Sequence, residues 1–406
     1  ADESVCIGPP PARDSYLNVA AILTAATVTN AEAIHPGVGF LSENADFAQM
    51  VEEHGFTFIG PKTEHIRLMG DKMAARQAAQ SLGLPVIPGS QEPVHSLEAA
   101  QAQGREIGFP VLLKAVSGGG GHGLQRVAGV DQLEQALALA REEARSGFGS
   151  EAVYLEKRLD APRHIEVQVL GDHHGNVVHF GERDCSVQRR HQKVIEEAPS
   201  PALNAAERDW LGRNTVEAMR ELGYRNAGTV EFLYENGTFY FLEMNTRLQV
   251  EHPVTEMISD VDLVREQIRI AAGAPLGYGQ DDIVLSGHAI ECRLAAEHPE
   301  SFLPSPGRVT EYHPPGGLGV RFESALYTGY TVPAHYDSLV AKLVVHGKTR
   351  NECLMRLRRA LGECVIGGID TTIPLHLKLI AEIAFIDGDY DVNWLELVMR
   401  GEAPVD

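Results

Sequence analysis

Glu243, Asn245, Arg247, Gln249 and Glu251 alternate with Met244, Thr246, Leu248 and Val250. Successive side chains of an extended strand point to opposite faces. The spacing therefore predicts a strand over 243–251 that gathers two carboxylates, two amides and a guanidinium on one face, a row costly to desolvate without partners. The preceding stretch, from Gly228 to Glu243, reads as a hairpin with an Asn236-Gly237 turn signal. A two-residue loop there would set Glu231 and Glu243 on opposite faces. A three-residue loop, Glu235-Asn236-Gly237 with Gly237 left-handed as a bulge, sets them on the same face and is the expected arrangement. Facing carboxylates repel unless a cation sits between them. Hard oxygen ligands with room for phosphate oxygens suit Mg²⁺. An isolated pair of strand glutamates points to solvent by default, so this reading depends on a phosphate site elsewhere in the chain.

An apolar strand carrying Lys114 runs through Ser117 into Gly118, Gly119, Gly120 and Gly121, then His122 and Gly123. Consecutive glycines leave backbone N–H groups unshielded, so they can approach an anion closely. The loop matches neither the dinucleotide fingerprint nor the P-loop pattern. Its place between a lysine-bearing strand and Leu124-Gln-Arg-Val127 favours a phosphate-covering flap over a linker. Lys72, in Met69-Gly-Asp-Lys72, is a second candidate phosphate ligand. Gln188-Arg-Arg-His-Gln-Lys193 concentrates four basic or potentially basic groups. The net charge of −21 opposes polyanion binding, so this run reads as a pocket for a small anion and not as a nucleic-acid patch.

Over essentially its whole length the chain resembles the biotin carboxylases of the ATP-grasp superfamily. The resemblance is carried by His35-Pro-Gly37, Phe40-Leu-Ser-Glu-Asn-Ala-Asp-Phe47, Leu68-Met-Gly-Asp-Lys72, Glu182-Arg-Asp-Cys-Ser186, Gln188-Arg-Arg-His-Gln-Lys193, Glu243-Met-Asn-Thr-Arg247, Gln249-Val-Glu-His-Pro-Val-Thr-Glu256, Glu291-Cys-Arg293 and Phe302-Leu-Pro-Ser-Pro-Gly307. It implies ATP-dependent carboxylation of biotin with bicarbonate. The implied fold is α/β with mixed α+β character, in three parts. These are the remnant of a doubly wound N-terminal domain (1–69), an ATP-grasp domain (70–290) with a small flap subdomain at about 85–158, and a C-terminal biotin carboxylase domain (291–406).

By this resemblance Lys72, Lys114 and the glycines Gly118 to Gly121 hold ATP phosphates. Glu156 and Lys157 lie on the hinge that holds adenine, with Leu159 lining its pocket and His164, Gln188 and His191 around the nucleotide. Glu231 and Glu243 match the ligands of Mg²⁺ (or Mn²⁺), with Asn245 beside them. Lys193, Arg247, Gln249, Val250 and Glu251 match the bicarbonate site. A guanidinium can hold this small planar anion bidentately. Glu251 is the expected base that turns it into a nucleophile toward the γ-phosphate. The implied product, carboxyphosphate, is destroyed by water, so the flap must exclude it. Arg293 matches the arginine that stabilises the biotin enolate. Three positions depart from the family: Val38 stands where a tyrosine near biotin is usual, and His122 and Gln125 stand where the flap usually carries basic residues.

At 406 residues two or three domains are expected. No apolar run approaches the roughly 20 residues needed to span a bilayer. Cys6, Cys185, Cys292, Cys353 and Cys364 are scattered, which suggests reduced thiols in a cytoplasm and, for Cys185, inert packing. Helices are expected at Asn18–Thr29 and at Asp131–Arg145, the latter with Asp131 as N-cap. The Pro/Gly-rich stretch from Phe302 to Gly319 should lead into a β-rich portion that ends in helices from about residue 350. By resemblance Ala1 falls inside the first domain, so an opening strand and helix would precede it, and their loss would lower stability. A Met-Lys-Met attachment site is missing, so biotin is expected on a separate carrier protein. Carboxyltransferase subunits would then be further partners, as in bacterial acetyl-CoA carboxylase. A homodimer is expected, with Arg321 at its interface. Neither nucleic acid nor membrane is an expected partner. Three alternatives stay open: the matching region of a propionyl-, methylcrotonyl-, pyruvate or urea carboxylase, a ligase with another acceptor, and a degenerate subunit that only binds a carrier.

Overall fold

The computed structural model describes residues 2–90, 92–116 and 124–402. The flap glycines Gly118 to Gly121 and His122 lie outside the described residues. At the centre is an eight-stranded sheet. In spatial order its strands are Thr238–Asn245, Asn226–Glu235, Arg163–Gly171, Val177–Arg189, Gln192–Ala198, His288–Ala295, Leu339–Gly347 and Val320–Ser324. Each is antiparallel to its neighbours. Two of the turns between them are only two residues long. Both central residues of each have positive φ: 51° and 78° at Asn236 and Gly237, 49° and 65° at Arg190 and His191. This geometry matches the twist of the flanking strands.

The expected three-residue loop at 235–237 therefore does not form: Thr238 pairs with Glu235 across a two-residue turn. Glu231 nevertheless faces Glu243, because the ladder slips by one residue between Phe241 and Glu243. Leu242 is the extra residue. A one-residue bulge moves every later side chain to the other face, which restores the shared face. The strand also ends at Asn245 and does not run to 251. Residues 246–251 turn, and Glu251 sits at the start of the helix His252–Ser259, which has a proline in its first turn. Met244, Thr246 and Leu248 are buried and Val250 half-buried, but Asn245, Gln249 and Glu251 are buried too, so the inward and outward sets expected from the alternation are not separated.

The helix Ala205–Leu222 covers one face of the sheet, packing Leu211, Val216 and Met219 into a core with Val167, Val230 and Phe232. The flap is a second sheet, with Val111–Ala115 between Leu124–Val127 and Val153–Lys157. Helices Leu97–Ile107 and Leu133–Phe148 back it around Leu113, Leu133, Leu137 and Leu155. Asp131 does not cap the second helix. It lies in the 3₁₀ turn Val130–Gln132, and the helix starts at Leu133 without a side-chain cap. Gln132 instead accepts the Ala128 N–H at 2.9 Å, serving the preceding turn. Asn18 does cap its helix, Val19–Val28, by accepting the Ala21 N–H. The N-terminal part has a parallel strand pair, Ala33–Ile34 with Thr57–Phe58, joined through the helix Ala45–Glu53. That crossover is the unit of a doubly wound domain.

Three strands of the C-terminal part extend the central sheet itself, and the step from 290 to 291 falls inside the strand His288–Ala295. Helix Arg350–Glu363 and the helices after it close a core around Leu343, Val345, Leu357, Phe385 and Trp394. Among the described residues no helix is long and apolar enough to cross a membrane.

Candidate active site

The flap and the central sheet bound a cavity of about 1340 Å³. Lys72, Lys114, Lys157, Leu159, His164, Gln188 and His191 line it, as do Lys193, Glu231, Glu243, Asn245, Arg247, Gln249, Val250, Glu251, Arg293 and Val38. Of the described residues expected at a ligand, only Glu156 is not on its wall; it is buried behind, in an ion pair with Lys114.

At the base of the cavity Lys193 Nζ lies 2.5 Å from Glu251 Oε1, 2.5 Å from Glu166 Oε2 and 3.1 Å from Glu231 Oε1. Burial alone would discharge this ammonium, but the three carboxylates hold its pKa well above the usual lysine range. Burial likewise opposes ionisation of Glu251, and Lys193 overrides it, keeping that carboxyl below the usual range. The second oxygen, Glu251 Oε2, accepts from an Arg293 terminal nitrogen at 2.8 Å. The result is a carboxylate held between a lysine and an arginine. Arg247 projects beside it, donating to Glu43 Oε2 at 2.8 Å and to Asn245 Oδ1 at 2.7 Å.

Glu231 and Glu243 meet across the hairpin. Burial opposes ionisation of Glu231, but Lys193 and His164 hold its pKa well below the usual carboxylate range. Burial first, and then Glu231, push Glu243 up. A divalent cation between the two carboxylates would relieve that repulsion, and their hard oxygens fit Mg²⁺. Asn245 lies beside the pair: its Nδ2 donates to Glu231 at 2.8 Å and its carbonyl oxygen accepts from Arg247. A second acidic grouping brings His164, Glu166 and Glu231 within 4.8 Å of one another. Burial would lower the His164 pKa, yet Glu231 lifts it to about 9. His164 Nε2 stands 3.0 Å from Glu231 Oε2, an ion-pair contact when the imidazole carries its second proton.

Sequence periodicity assigns no role to three residues that the structure brings to this site. Arg183 is fully buried and donates to Glu166 at 2.5 Å, Gln168 at 2.8 Å, Thr255 at 2.9 Å and Gln249 at 2.7 Å. It thereby aims the Gln249 amide, which donates to Glu231 at 2.7 Å. Glu166 anchors Lys193, and Glu196 accepts from Arg293 Nε at 2.6 Å. One signal existed: His164, Glu166 and Gln168 alternate with apolar residues as 243–251 does, and a polar row on a strand with no wet face demands partners.

At the mouth, Val38 is 40% exposed. The missing tyrosine does not leave the mouth without aromatic surface. Tyr16 stacks on Phe40 at 5.0 Å, and Tyr336 meets both edge-on. Elsewhere on the cavity wall, Lys157 Nζ donates to the Gly108 and Phe109 carbonyls, at 2.8 and 3.1 Å. Burial lowers the pKa of Lys72, at the first turn of the helix Lys72–Ser81. His191 is exposed at the Arg190-His191 turn, and partial desolvation there lowers its pKa. Gln125 donates to Glu143 at 2.9 Å, tied to the flap helix. Cys185 is buried, and burial pushes its thiol well up, as inert packing requires.

Comparison with known proteins agrees along the chain. Residues 1–66 match the family described as biotin carboxylase, N-terminal domain. Residues 71–278 match carbamoyl-phosphate synthase L chain, ATP binding domain, and 291–397 match biotin carboxylase C-terminal domain. The chain is 55% identical over 397 residues to a biotin carboxylase of Haemophilus influenzae, covering 98% of this chain and 89% of that protein. It is similar to the crystal structure of a biotin carboxylase–β-γ-ATP complex from Campylobacter jejuni, with TM-score 0.94, 49% identity, and 98% and 89% of the two chains covered. It is also similar to the biotin carboxylase domain dimer of Hydrogenobacter thermophilus 2-oxoglutarate carboxylase, in complex with MgADP, ADP and bicarbonate. There the TM-score is 0.92 at 46% identity, over 99% and 88% of the two chains.

Proposed function

The chain belongs to the biotin carboxylase family, and from that premise we propose how its own residues divide the reaction. It is an ATP-grasp ligase that carboxylates biotin with ATP and bicarbonate. Lys72, Lys114 and the flap glycines hold the phosphates, and the wall formed by Lys157, Leu159, His164, Gln188 and His191 receives the nucleoside. Glu231 and Glu243 would hold Mg²⁺, which neutralises phosphate charge when bound. Asn245 serves that pair by orienting Glu231 and Arg247.

Bicarbonate lies against Arg247, Gln249 and the Val250 backbone. Glu251 removes its proton, and the freed oxygen attacks the γ-phosphate to give carboxyphosphate and ADP. Lys193 keeps Glu251 ionised until that step. Carboxyphosphate then breaks into CO₂ and phosphate; the departing phosphate takes the ureido N–H proton of biotin, Arg293 meets the negative charge that develops on the enolate oxygen, and the freed nitrogen bonds to CO₂ to give carboxybiotin. The mouth near Val38, Tyr16 and Phe40 admits biotin on its carrier. The single observation that supports this reading most is the contact of Glu251 with both Lys193 and Arg293 at the cavity base.

We place the boundaries of the three parts near residues 69 and 290, with the flap at about 85–158. The partners proposed are a biotin carboxyl carrier protein, carboxyltransferase subunits and a second copy of the chain, in the cytoplasm, serving acetyl-CoA carboxylase and fatty acid synthesis. The likeness to the 2-oxoglutarate carboxylase domain supports a second reading, a 2-oxo acid as the final acceptor. The test is ADP release with Mg²⁺-ATP, with bicarbonate and free biotin each added or omitted. Release that needs both is expected. Release that ignores biotin overturns the assignment. Transfer of the carboxyl group to acetyl-CoA or to a 2-oxo acid, with matched carrier and transferase, separates the two acceptors.

A further inference from the structure

Beneath the helix His252–Ser259 the sheet carries an acidic pair that the reaction above leaves unused. Glu196 and Glu291 are directly opposed on adjacent antiparallel strands, and both are 0% exposed. Arg293, two residues along from Glu291, shares its face, as does Lys342 opposite Arg293 on the next strand. Their hydrogen bonding is unequal. Glu196 Oε1 accepts from Arg293, but its Oε2 has no donor among the described residues, and neither oxygen of Glu291 has one. The other charged groups on this face are taken. Lys342 Nζ contacts the Val250 carbonyl at 3.1 Å and Glu323 at 2.5 Å, and Glu251 is held by Lys193 and Arg293.

A buried carboxylate with no donor is far costlier than a buried neutral carboxyl. Burial first, and then Glu196, push the Glu291 carboxyl well above the usual range. Directly opposed cross-strand side chains lie close enough for their ends to meet. We propose that Glu291 is a neutral acid that shares its proton with the free Oε2 of Glu196, and that Glu196, so held, is a positioning residue for Arg293. This rests on the reading of Arg293 as the group that meets the biotin enolate.

The arrangement does two things. It pins the Nε edge of the guanidinium while the terminal nitrogen stays with Glu251 at the cavity. It also spares Arg293 a third negative charge, which would weaken the positive field it offers the enolate. The backbone of Arg293 is fixed separately, its carbonyl accepting from His376 Nε2 at 2.7 Å and from the Thr372 hydroxyl at 3.3 Å.

The test uses the whole chain. Infrared difference spectra between the unaltered chain and Glu291→Gln at neutral pH should show loss of a protonated, buried carboxyl band. Glu196→Gln should slow biotin-dependent turnover about 10- to 100-fold, as loss of an orienting partner does, with the KM for ATP unmoved. Glu196→Asp should recover part of that loss. Glu291→Gln, which mimics the neutral acid, should keep most of the turnover. Absence of the band, or equal losses in Glu291→Gln and Glu196→Gln, overturns the proposal. If the unaltered chain shows no biotin-dependent ADP release, the functional reading fails, and the band alone then decides the shared proton.

Discussion

Substituting Glu197 by glutamine should remove about 3 kcal/mol of stability at neutral pH, and the loss should vanish in acid. Glu197 is buried on the strand Gln192–Ala198. Arg350 donates to both its oxygens, at 2.7 and 3.0 Å, His288 Nε2 lies 2.5 Å away, and the Tyr390 hydroxyl completes the set. Burial opposes its ionisation, but the bonds from His288 and Arg350 bring its pKa from 4.5 to about 2. At 1.36 kcal/mol per pH unit that drop is worth about 3 kcal/mol. The figure agrees with the roughly 3–5 kcal/mol lost when a buried ion pair is broken from one side. A lowered carboxyl pKa stabilises the fold above the unfolded value. The contribution is therefore complete above about pH 4.5 and lost progressively as the pH falls toward about 2. The assay is urea unfolding followed by tryptophan fluorescence in a Trp210→Phe background. Trp394, the other of the two tryptophans, then reports alone, its ring 5.9 Å from that of Tyr390. The gap between the parent and Glu197→Gln should hold from neutral pH to about pH 5 and narrow below it. A gap that does not change with pH, or one below about 1 kcal/mol at pH 7, would refute the assignment of this network.

Glu251→Gln should reduce bicarbonate-dependent ADP release by about 10²- to 10⁴-fold, the usual worth of a general base, in a coupled steady-state assay. A rate near that of the parent would sink its role. Glu243→Gln should raise the Mg²⁺ concentration for half-maximal activity by about 10-fold or more, read from a metal titration, and EDTA should abolish an activity that Mg²⁺ restores. Val38→Tyr should lower the KM for free biotin about 2- to 10-fold, from the 0.5–1.5 kcal/mol of an added aromatic contact. An unchanged KM would mean that Tyr16, Phe40 and Tyr336 already supply the platform.

The chemistry of the site was legible because it depends on residue type and short spacing. Alternation along 243–251 marked the reactive row, Asn236-Gly237 marked the turn, and the apolar strand with Lys114 marked the flap, each set by local sterics and period. The helix at Asn18 could be read for the same reason, since a cap needs only its neighbours in sequence. What failed depended on partners far along the chain. The facing of Glu231 and Glu243 was anticipated, but through the wrong device. Asn-Gly favours a two-residue turn, and the bulge at Leu242 was chosen by how the strand pairs and packs, not by the turn. The strand stopped at Asn245, so Glu251 reaches Lys193 from the start of a helix and not from the end of a strand. Glu166, Arg183 and Glu196 gained roles only when strands distant in sequence were laid side by side in one sheet. Residue type and short spacing by themselves marked charges, such as the row at 243–251, that would need partners once buried. Only the tertiary structure decided which opposite charge each would meet, because burial makes pairing compulsory while long-range strand register selects the pair.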